Sequence, residues 1–296
     1  FRRILCSKVK FDITLWYSPT IFWPLLIRLL SLHMDLGVKV LVIRDIFPKW
    51  AIDTGALTNR YVIKLLNFFH EFQLRSANHI WAQSESDCEY LIGQAGSTPV
   101  TTVCNWDKIK NTSTKLSVSP SICYFGNLGQ AQNHQEIIPF VCRLANLRSK
   151  VSWNFYGLHK SEAKQFQLEI KRQEVTNIYL NEEVTDGQMR DILSKTTVSF
   201  FCLSFDLSTD NVPGKFVASA VQGVPTIGIF RNNNALNVLY SRLGYNGCVS
   251  EINTDLFFER FDELSNISVD QRSEISAVAA RLFNIRNVVK KLSDLV

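Results

Sequence analysis

The sequence is poor in glycine and proline, and its cysteines follow no pairing pattern. Of 296 residues, 13 are Gly and 8 are Pro, which excludes a collagen-like or low-complexity chain. The 7 cysteines are odd in number and include no C-x-x-C pair, which argues against a disulfide framework or a zinc ribbon. We therefore expect reduced, mostly buried thiols, as in a cytosolic protein.

Long apolar runs are also missing. The most apolar stretch, residues 11–32, contains Asp12, two prolines and Arg28, so no run reaches the ~18 residues that a membrane span needs. The stretch instead predicts a short strand followed by a helix from about Ile21 to Met34. This helix is unusually apolar, and part of its surface is expected to face something other than the core.

The net charge of +5 is unevenly distributed. Residues 119–296 are balanced, so the whole excess of Lys and Arg lies in residues 1–118. A weakly basic region suits an anionic partner such as a membrane surface or a phosphorylated lipid, although ordinary surface variation is the alternative. Nucleic acid is not an expected partner, because no basic stripe accompanies the aromatic residues.

Strands and helices alternate along the chain, which predicts parallel sheets with covered faces. A polar, Ser/Thr-rich stretch at 108–120 resembles a linker. We therefore predict an α/β protein with two Rossmann-like domains, at 1–112 and 113–270, followed by C-terminal helices at 271–296. Ligands of such sheets bind beyond the carboxyl ends of the strands. With two domains, the expected active site is the cleft between them.

Two segments carry candidate chemistry. In the first, YFGNLGQAQN (124–133), a strand enters a turn in which Gly126 and Gly129 allow a ligand to approach the backbone. The helix start that follows offers free N–H groups to an anion. In the second, DNVPGKFVASAVQGVP (210–225), a helix begins near Gly214 and Lys215 adds a positive charge beside its free N–H groups.

These segments resemble the C-terminal domain of family 4 glycosyltransferases of the GT-B fold. The closest likeness is to the bacterial subgroup of O-antigen, capsule and colanic-acid synthesis, which shows a Y-x-G-N-x-G-x-A-Q turn and a V-P-S-K helix start. In the first part of the chain, the segment around Asp45 (IRDIFP), Glu71, Gln83-Ser84 and Asn105-Trp106 match in order and spacing. The resemblance covers about residues 12 to 230.

The resemblance implies transfer of a sugar, with retention, from a uridine-linked nucleotide sugar to a polysaccharide or polyprenyl-linked acceptor. It implies no metal and no other cofactor. Asp45, Lys215 and Asp210 would be the catalytic residues. The residues expected to bind the donor are Gly126, Asn127, Leu128, Gly129, Gln132, Gly157, Asn211, Val212, Pro213 and Gly214. The expected location is cytoplasmic, with peripheral contact at the inner face of the cell membrane.

Some positions depart from the family pattern. Ala218 stands where many members carry a second Glu, and Gly214 replaces the usual Ser. The family's first strand and glycine-rich loop have no counterpart here, so the N-terminal domain is expected to be incomplete. A non-catalytic remnant that binds nucleotide or a partner protein is therefore an alternative. An epimerase of the same fold would need catalytic carboxylates and a His that the sequence does not place.

Overall fold

The computed structural model describes residues 10–107 and 119–296. The contacts within it divide the chain into two units. The first comprises the described residues up to Asn105 together with Ser208–Val212 and Ile285–Val296. The second comprises the remaining described residues, from Trp106 to Asn284.

The division differs in detail from the domain boundaries expected from sequence. The boundary between 112 and 113, like most of the linker at 108–120, lies outside the described residues. The C-terminal helices at 271–296 do not form one group, because their last helix belongs to the first unit and the preceding one to the second.

The first unit is built on a four-stranded parallel sheet with the strands in chain order, β1-β2-β3-β4. The strands are β1 (Ile13–Tyr17), β2 (Val38–Ile43), β3 (His79–Ala82) and β4 (Val100–Thr102). The helices are α1 (Trp23–Ser31), α2 (Lys49–Asp53), α3 (Arg60–Arg75), α4 (Glu85–Ala95) and α12 (Ile285–Ser293). The apolar run of β2 is buried from Val40 onward, as expected for a parallel strand covered on both faces.

The second unit contains a six-stranded parallel sheet in the order β10-β9-β8-β5-β6-β7. Its strands are β5 (Ser121–Phe125), β6 (Ser152–Tyr156), β7 (Ile178–Asn181), β8 (Val198–Cys202), β9 (Thr226–Ile229) and β10 (Cys248–Val249). Its helices are α5 (His134–Leu147), α6 (Lys160–Arg172), α7 (Asp186–Ser194), α8 (Gly214–Val221), α9 (Asn234–Leu243), α10 (Thr254–Ser265) and α11 (Val269–Leu282). This is the strand order of a dinucleotide-binding Rossmann sheet.

Large aromatic side chains fill the core of the second unit. Phe200, on the fully buried strand β8, is wholly inaccessible and lies with its ring centroid 6.0 Å from Trp153 and 6.1 Å from Phe257. Rings at these separations gain both from the apolar area that they bury and from their edge-to-face geometry. The core thus fixes the sheet whose strand ends carry the candidate site.

The prediction of an α/β chain with two parallel sheets is confirmed. The sequence pattern predicts a strand at Ser121–Phe125 and helices at His134–Leu147 and Asp186–Ser194, and β5, α5 and α7 have these bounds. Helix α1 is shorter than the predicted span from Ile21 to Met34, and the short helix α2 was not predicted. Among the described residues, no helix has the length and apolar composition that a membrane span requires.

Candidate functional site

The candidate site lies where the strand order of the second unit reverses. β5 pairs with β6 on one side and with β8 on the other, so the chain leaves β5 and β8 toward opposite halves of the sheet. Parallel sheets bind ligands in the crevice outside the carboxyl ends of such strands. The turn after β5 and the start of α8 after β8, both selected from the sequence, lie at this position.

A pocket of about 300 Å³ opens there. Its lining residues come from the ends of β5 and β6, from the segments that follow β6 and β7, and from helices α7 and α8. It is lined by Phe125, Gly126, Tyr156, Gly157, Glu183, Val184, Met189, Gly214, Lys215 and Ala218. Its volume and mixed lining are in the range of sites for small organic ligands.

Two glycines that line the pocket have left-handed backbone. Gly126 has φ +85° and Gly157 has φ +74°, a region that side chains rarely adopt. Each N–H continues the ladder of the sheet, with Gly126 N donating to the Tyr156 carbonyl at 2.8 Å. A Cβ at Gly126 would meet no protein atom within 4 Å, so the space above this backbone is open to a ligand.

Lys215 supplies the positive charge of the pocket. It lies in the first turn of α8, where the N–H groups of Gly214 and Lys215 have no partner among the described residues, while those of Phe216 and Val217 donate to the Pro213 carbonyl. Its Nζ is 3.9 Å from the centroid of the Tyr124 ring, and it forms no ion pair with another described residue. Burial lowers the pKa of Lys215 to about 8, so at neutral pH the ammonium is still mostly charged. An ammonium with an aromatic contact and no carboxylate partner is suited to an anionic ligand.

Apolar side chains form another wall of the pocket. The rings of Phe125 and Tyr156 are stacked with centroids 5.1 Å apart, and Val184 and Met189 pack in the same cluster. These four residues were not selected from the sequence, because apolar residues within or beside strands and helices look like ordinary core. A flat apolar wall beside a positive charge fits a ligand with a planar ring and a phosphate.

The turn after β5 is held rigidly by its own residues. The Tyr124 hydroxyl donates to the Asn127 carbonyl at 2.5 Å, and the Gly129 N–H donates to Gln132 Oε1 at 3.0 Å. Leu128 is completely buried in the core of the second unit, so it can offer a ligand only its backbone. Gln132 shapes the turn, and neither it nor the side chain of Leu128 lines the pocket.

The segment Ser208–Val212 belongs to the first unit, although it lies in sequence between β8 and α8. Its last residue is clamped by two buried amides. The Val212 N–H donates to Gln83 Oε1 at 3.0 Å, and Asn105 Nδ2 donates to the Val212 carbonyl at 2.5 Å. Gln83 Nε2 donates to Asn105 Oδ1 at 3.4 Å and closes the ring. Gln83 and Asn105, noticed in the sequence for their spacing, thus act as backbone partners of this segment.

The carboxylates of Asp45, Asp87 and Asp210 all lie at or beside the same segment of the first unit. Asn211 Nδ2 donates to Asp45 Oδ1 at 2.7 Å, and the Ser86 hydroxyl donates to Asp210 Oδ2 at 2.6 Å. Burial raises the pKa of Asp45, partly offset by the hydrogen bond from Asn211. Burial, together with the charges of Asp210 and Asp45, raises the pKa of Asp87 to about 7.

Asp87 was not predicted from sequence. It is 5% exposed, and its Oδ1 has no hydrogen-bond partner among the described residues. In the sequence it reads as the third residue of a helix capped by Ser84, and its N–H does donate to the Ser84 hydroxyl at 3.0 Å. Only the fold reveals its nearness to Asp210 and Asp45.

The predicted site residues therefore divide into three groups. Asn127, Leu128, Gly129 and Gln132 form the turn after β5 and do not line the pocket. Gly126, Gly157, Gly214 and Lys215 line the pocket of the second unit, and Pro213 directly precedes α8. Asp45, Asp210, Asn211 and Val212 belong to the carboxylate and amide network of the first unit. No group of three or more His, Cys, Asp or Glu side chains suited to a metal ion occurs in the part of the chain that the structure describes.

Comparison with solved structures identifies the fold. Trehalose-6-phosphate synthase OtsA superposes with a TM-score of 0.69 at 11% identity, covering 98% of this chain and 73% of its own. Anabaena Alr3699/HepE, in complex with UDP and glucose, gives a TM-score of 0.67 at 12% identity, covering 95% and 76%. The chain has the GT-B fold. No protein-family model matches the sequence, and no curated protein matches it.

A further GT-B glycosyltransferase, S. aureus TarM, is known with Fondaparinux, alpha-GlcNAc-glycerol and UDP. It gives a TM-score of 0.65 at 13% identity, covering 89% of this chain and 51% of its own. The chain thus spans about half the length of TarM. The prediction of a GT-B fold is confirmed, while identities this low establish the fold alone.

Proposed function

We propose that the chain is a glycosyltransferase of the family 4 type that takes its sugar from a uridine-linked nucleotide sugar. The acceptor would be a bacterial polysaccharide or a polyprenyl-linked precursor, as in O-antigen or capsule synthesis, and configuration at the anomeric carbon would be retained. The observation that carries the proposal is the unpaired ammonium of Lys215 beside the open backbone of Gly126. The neighbours TarM and HepE, with UDP in their structures, support the same ligand class.

The pocket would contribute to the reaction mainly by electrostatic stabilisation of the leaving group. The bond from the anomeric carbon to the diphosphate breaks, and its electron pair leaves on the diphosphate oxygen. An acceptor hydroxyl oxygen bonds to that carbon, and its proton passes to the departing diphosphate. Lys215 and the first-turn N–H groups of α8 would stabilise the charge that develops on the leaving group, without a metal ion.

The lining suggests how the nucleoside would be held. Phe125, Tyr156, Val184 and Met189 offer apolar surface to a base. Ala218 cannot accept hydrogen bonds from ribose hydroxyls, whereas Glu183, in the same lining, carries an exposed carboxylate that can. We assign Glu183 this role in place of the Glu that many family members carry at position 218.

Asp45 is the proposed partner of the reacting sugar or of the acceptor hydroxyl. Its hydrogen bond from Asn211 fixes the direction of the carboxylate, which can accept a hydrogen bond from a hydroxyl of the sugar or of the acceptor. Asp210, held by Ser86, is the second carboxylate that the proposal places in the reaction.

Turnover of nucleotide sugars tests the proposal. The purified chain would be incubated with UDP-, GDP- and dTDP-sugars and a bacterial polyprenyl-lipid extract, and nucleoside diphosphate release would be measured. We expect release of UDP from at least one UDP-sugar, at least tenfold slower in Lys215→Ala. Lys164→Ala is the matched control, because Lys164 is exposed on α6 and does not line the pocket.

Two results would contradict the proposal in different ways. Tight UDP binding with no turnover of any donor would favour the non-catalytic alternative. Equal turnover by Lys215→Ala and wild type would remove Lys215 from the donor site.

A further inference from the structure

The segment Ser208–Val212 of the first unit forms neither helix nor strand. Its backbone groups therefore cannot pair within regular structure, and a buried N–H or carbonyl without a partner is costly. Val212, at the end of the segment, is 1% exposed. Its two backbone groups need side chains as partners, and Gln83 and Asn105 supply both.

We call Gln83 and Asn105 the amide pair. Each of their four side-chain oxygen and nitrogen atoms is used. Gln83 Oε1 accepts from the Val212 N–H, Asn105 Nδ2 donates to the Val212 carbonyl, and Gln83 Nε2 donates to Asn105 Oδ1. Turning either amide over would place donor against donor or acceptor against acceptor, so the pair holds Val212 in one orientation only.

The other end of the segment is also held. The N–H and the hydroxyl of Ser208 both donate to Asp53 Oδ2, at 3.1 and 2.7 Å. Lys49 Nζ pairs with Asp53 Oδ1 at 2.5 Å and donates to the Ser208 hydroxyl. A short segment that is anchored at both ends leaves little freedom to the residues between.

The residues between the two anchors determine where two carboxylates lie. Asn211, directly before Val212, donates to Asp45 Oδ1 at 2.7 Å. Asp210 lies on the segment itself, and its Oδ2 accepts from the Ser86 hydroxyl at 2.6 Å. A side chain keeps such a bond only while its backbone stays in place, so release of Val212 would first affect Asn211.

We propose that the amide pair positions the carboxylates of Asp45 and Asp210 by fixing the backbone of Val212. Neither Gln83 nor Asn105 lines the donor pocket, so the pair acts through the segment that it holds. The inference rests on the proposed function in taking these two carboxylates as reacting groups. The positioning itself can be measured without turnover.

Carbon-13 NMR titration of the aspartate carboxyl groups measures the positioning. Burial raises the pKa of Asp45, and the hydrogen bond from Asn211 and the charge of Arg44 oppose this rise. In Asn211→Ala the hydrogen bond is lost, so Asp45 should titrate about one pH unit higher. Gln83→Leu should produce most of the same change, because Asn211 is no longer held in place.

Asn177→Leu is the matched control. Asn177 is 6% exposed, like the amide pair, and its amide donates to the carbonyls of Ala145 and Val151 at 3.0 and 2.7 Å. It precedes β7 at the amino end of the strand, whereas the candidate pocket lies at carboxyl ends. This variant should lose stability and leave the titration of Asp45 unchanged. If Asp45 titrates alike in folded Gln83→Leu and in Asn177→Leu, the proposal is wrong.

Turnover separates this inference from the proposed function. Gln83→Leu should lower kcat at least tenfold and change UDP affinity less than twofold, because the amide pair does not line the donor pocket. A changed titration of Asp45, with no turnover even by wild type, would contradict the proposed function and still support the positioning. Wild-type kcat in folded Gln83→Leu would overturn the positioning role.

Gln83→Glu decides the matter if Gln83→Leu does not fold. At pH 6, where burial favours the neutral acid, the new side chain can accept from the Val212 N–H and donate to Asn105. At pH 8 the ionised carboxylate cannot donate. The kcat of this variant, relative to wild type, should therefore fall between pH 6 and pH 8, and a constant ratio would overturn the proposal.

Discussion

The two units differ in whether their largest apolar side chains are buried or exposed. The largest fully buried side chains, among them Trp153, Phe200 and Phe257, all lie in the second unit. The first unit instead has most of the large apolar side chains that reach solvent, concentrated on α1 and α3. In the second unit the exposed ones, such as Leu147 and Leu168, are scattered.

Apolar residues therefore have two different structural roles in this chain, as packed core in the second unit and as exposed surface in the first. A six-stranded sheet with helices on its faces can bury many aromatic rings, and the rigidity that results holds the pocket residues at its strand ends. The four-stranded sheet of the first unit covers less area, and α1 and α3 keep an outward apolar side. Composition alone would treat Phe68 and Phe200 alike, whereas the structure makes one a surface residue and the other a core residue.

The largest expected effect comes from opening the aromatic core. Phe200→Ala should destabilise the second unit by about 3–5 kcal/mol, because it removes a wholly buried ring that contacts Tyr124, Trp153 and Phe257. Leu65→Ser in the first unit should change the free energy of unfolding by less than about 0.5 kcal/mol, because that side chain is 56% exposed.

Thermal and denaturant unfolding, followed by circular dichroism, measure both changes. A large loss of stability in Leu65→Ser would contradict the comparison, because it would mean that the outward apolar side chains of α3 are packed within the fold. A loss below 1 kcal/mol in Phe200→Ala would mean that the aromatic core of the second unit is not tightly packed.

A smaller and pH-dependent effect is expected in the first unit. The pKa of Asp87 is raised to about 7, so its neutral form is favoured in the folded state. The folded protein then holds this proton where the unfolded chain, with a pKa of about 3.9, has lost it. Stability should therefore fall as the pH rises from about 4 through about 7, and level off above that.

Replacing Asp87 removes the charge that causes this fall. Asp87→Asn should show a smaller difference between melting temperatures at pH 5 and pH 8 than the wild type, and the gain should be largest at pH 8. Glu89→Gln, at an exposed position of the same helix, is the control and should follow the wild type. If Asp87→Asn keeps the full pH dependence, the buried carboxylate is not its source.

Much of the fold could be predicted because the sequence alternates between strand and helix patterns. The boundaries of β5, α5 and α7 follow directly from apolar periodicity. The short helix α2 could not be predicted, because five residues after Pro48 are too few to show a period. The capping of α3 by Asn59 and of α4 by Ser84 is local chemistry that the sequence does contain.

The candidate site could be predicted only in part. Gly126, Gly214 and Lys215 follow strands and carry visible chemistry, and all three line the pocket. Asn211 and Val212 lie in the same sequence motif, but the fold uses them for contacts within the first unit.

Tertiary proximity decides the other roles. Asp87 and Asp210 are far apart in sequence, and the charge of one affects the other only after folding. Glu183 lies in a polar segment of the sequence that carries no recognisable motif, and only the path of the chain after β7 brings it into the lining of the pocket.

Calorimetric titration with UDP tests the central claim, that the pocket at the β5 and β8 strand ends binds a nucleoside diphosphate through Lys215. Wild type and Lys164→Ala should bind UDP equally. Lys215→Ala should lose about 1.5–3 kcal/mol, roughly ten- to a hundredfold in affinity, because a charge-assisted contact is removed. Equal affinity in Lys215→Ala, or no binding by folded wild type, would contradict the account.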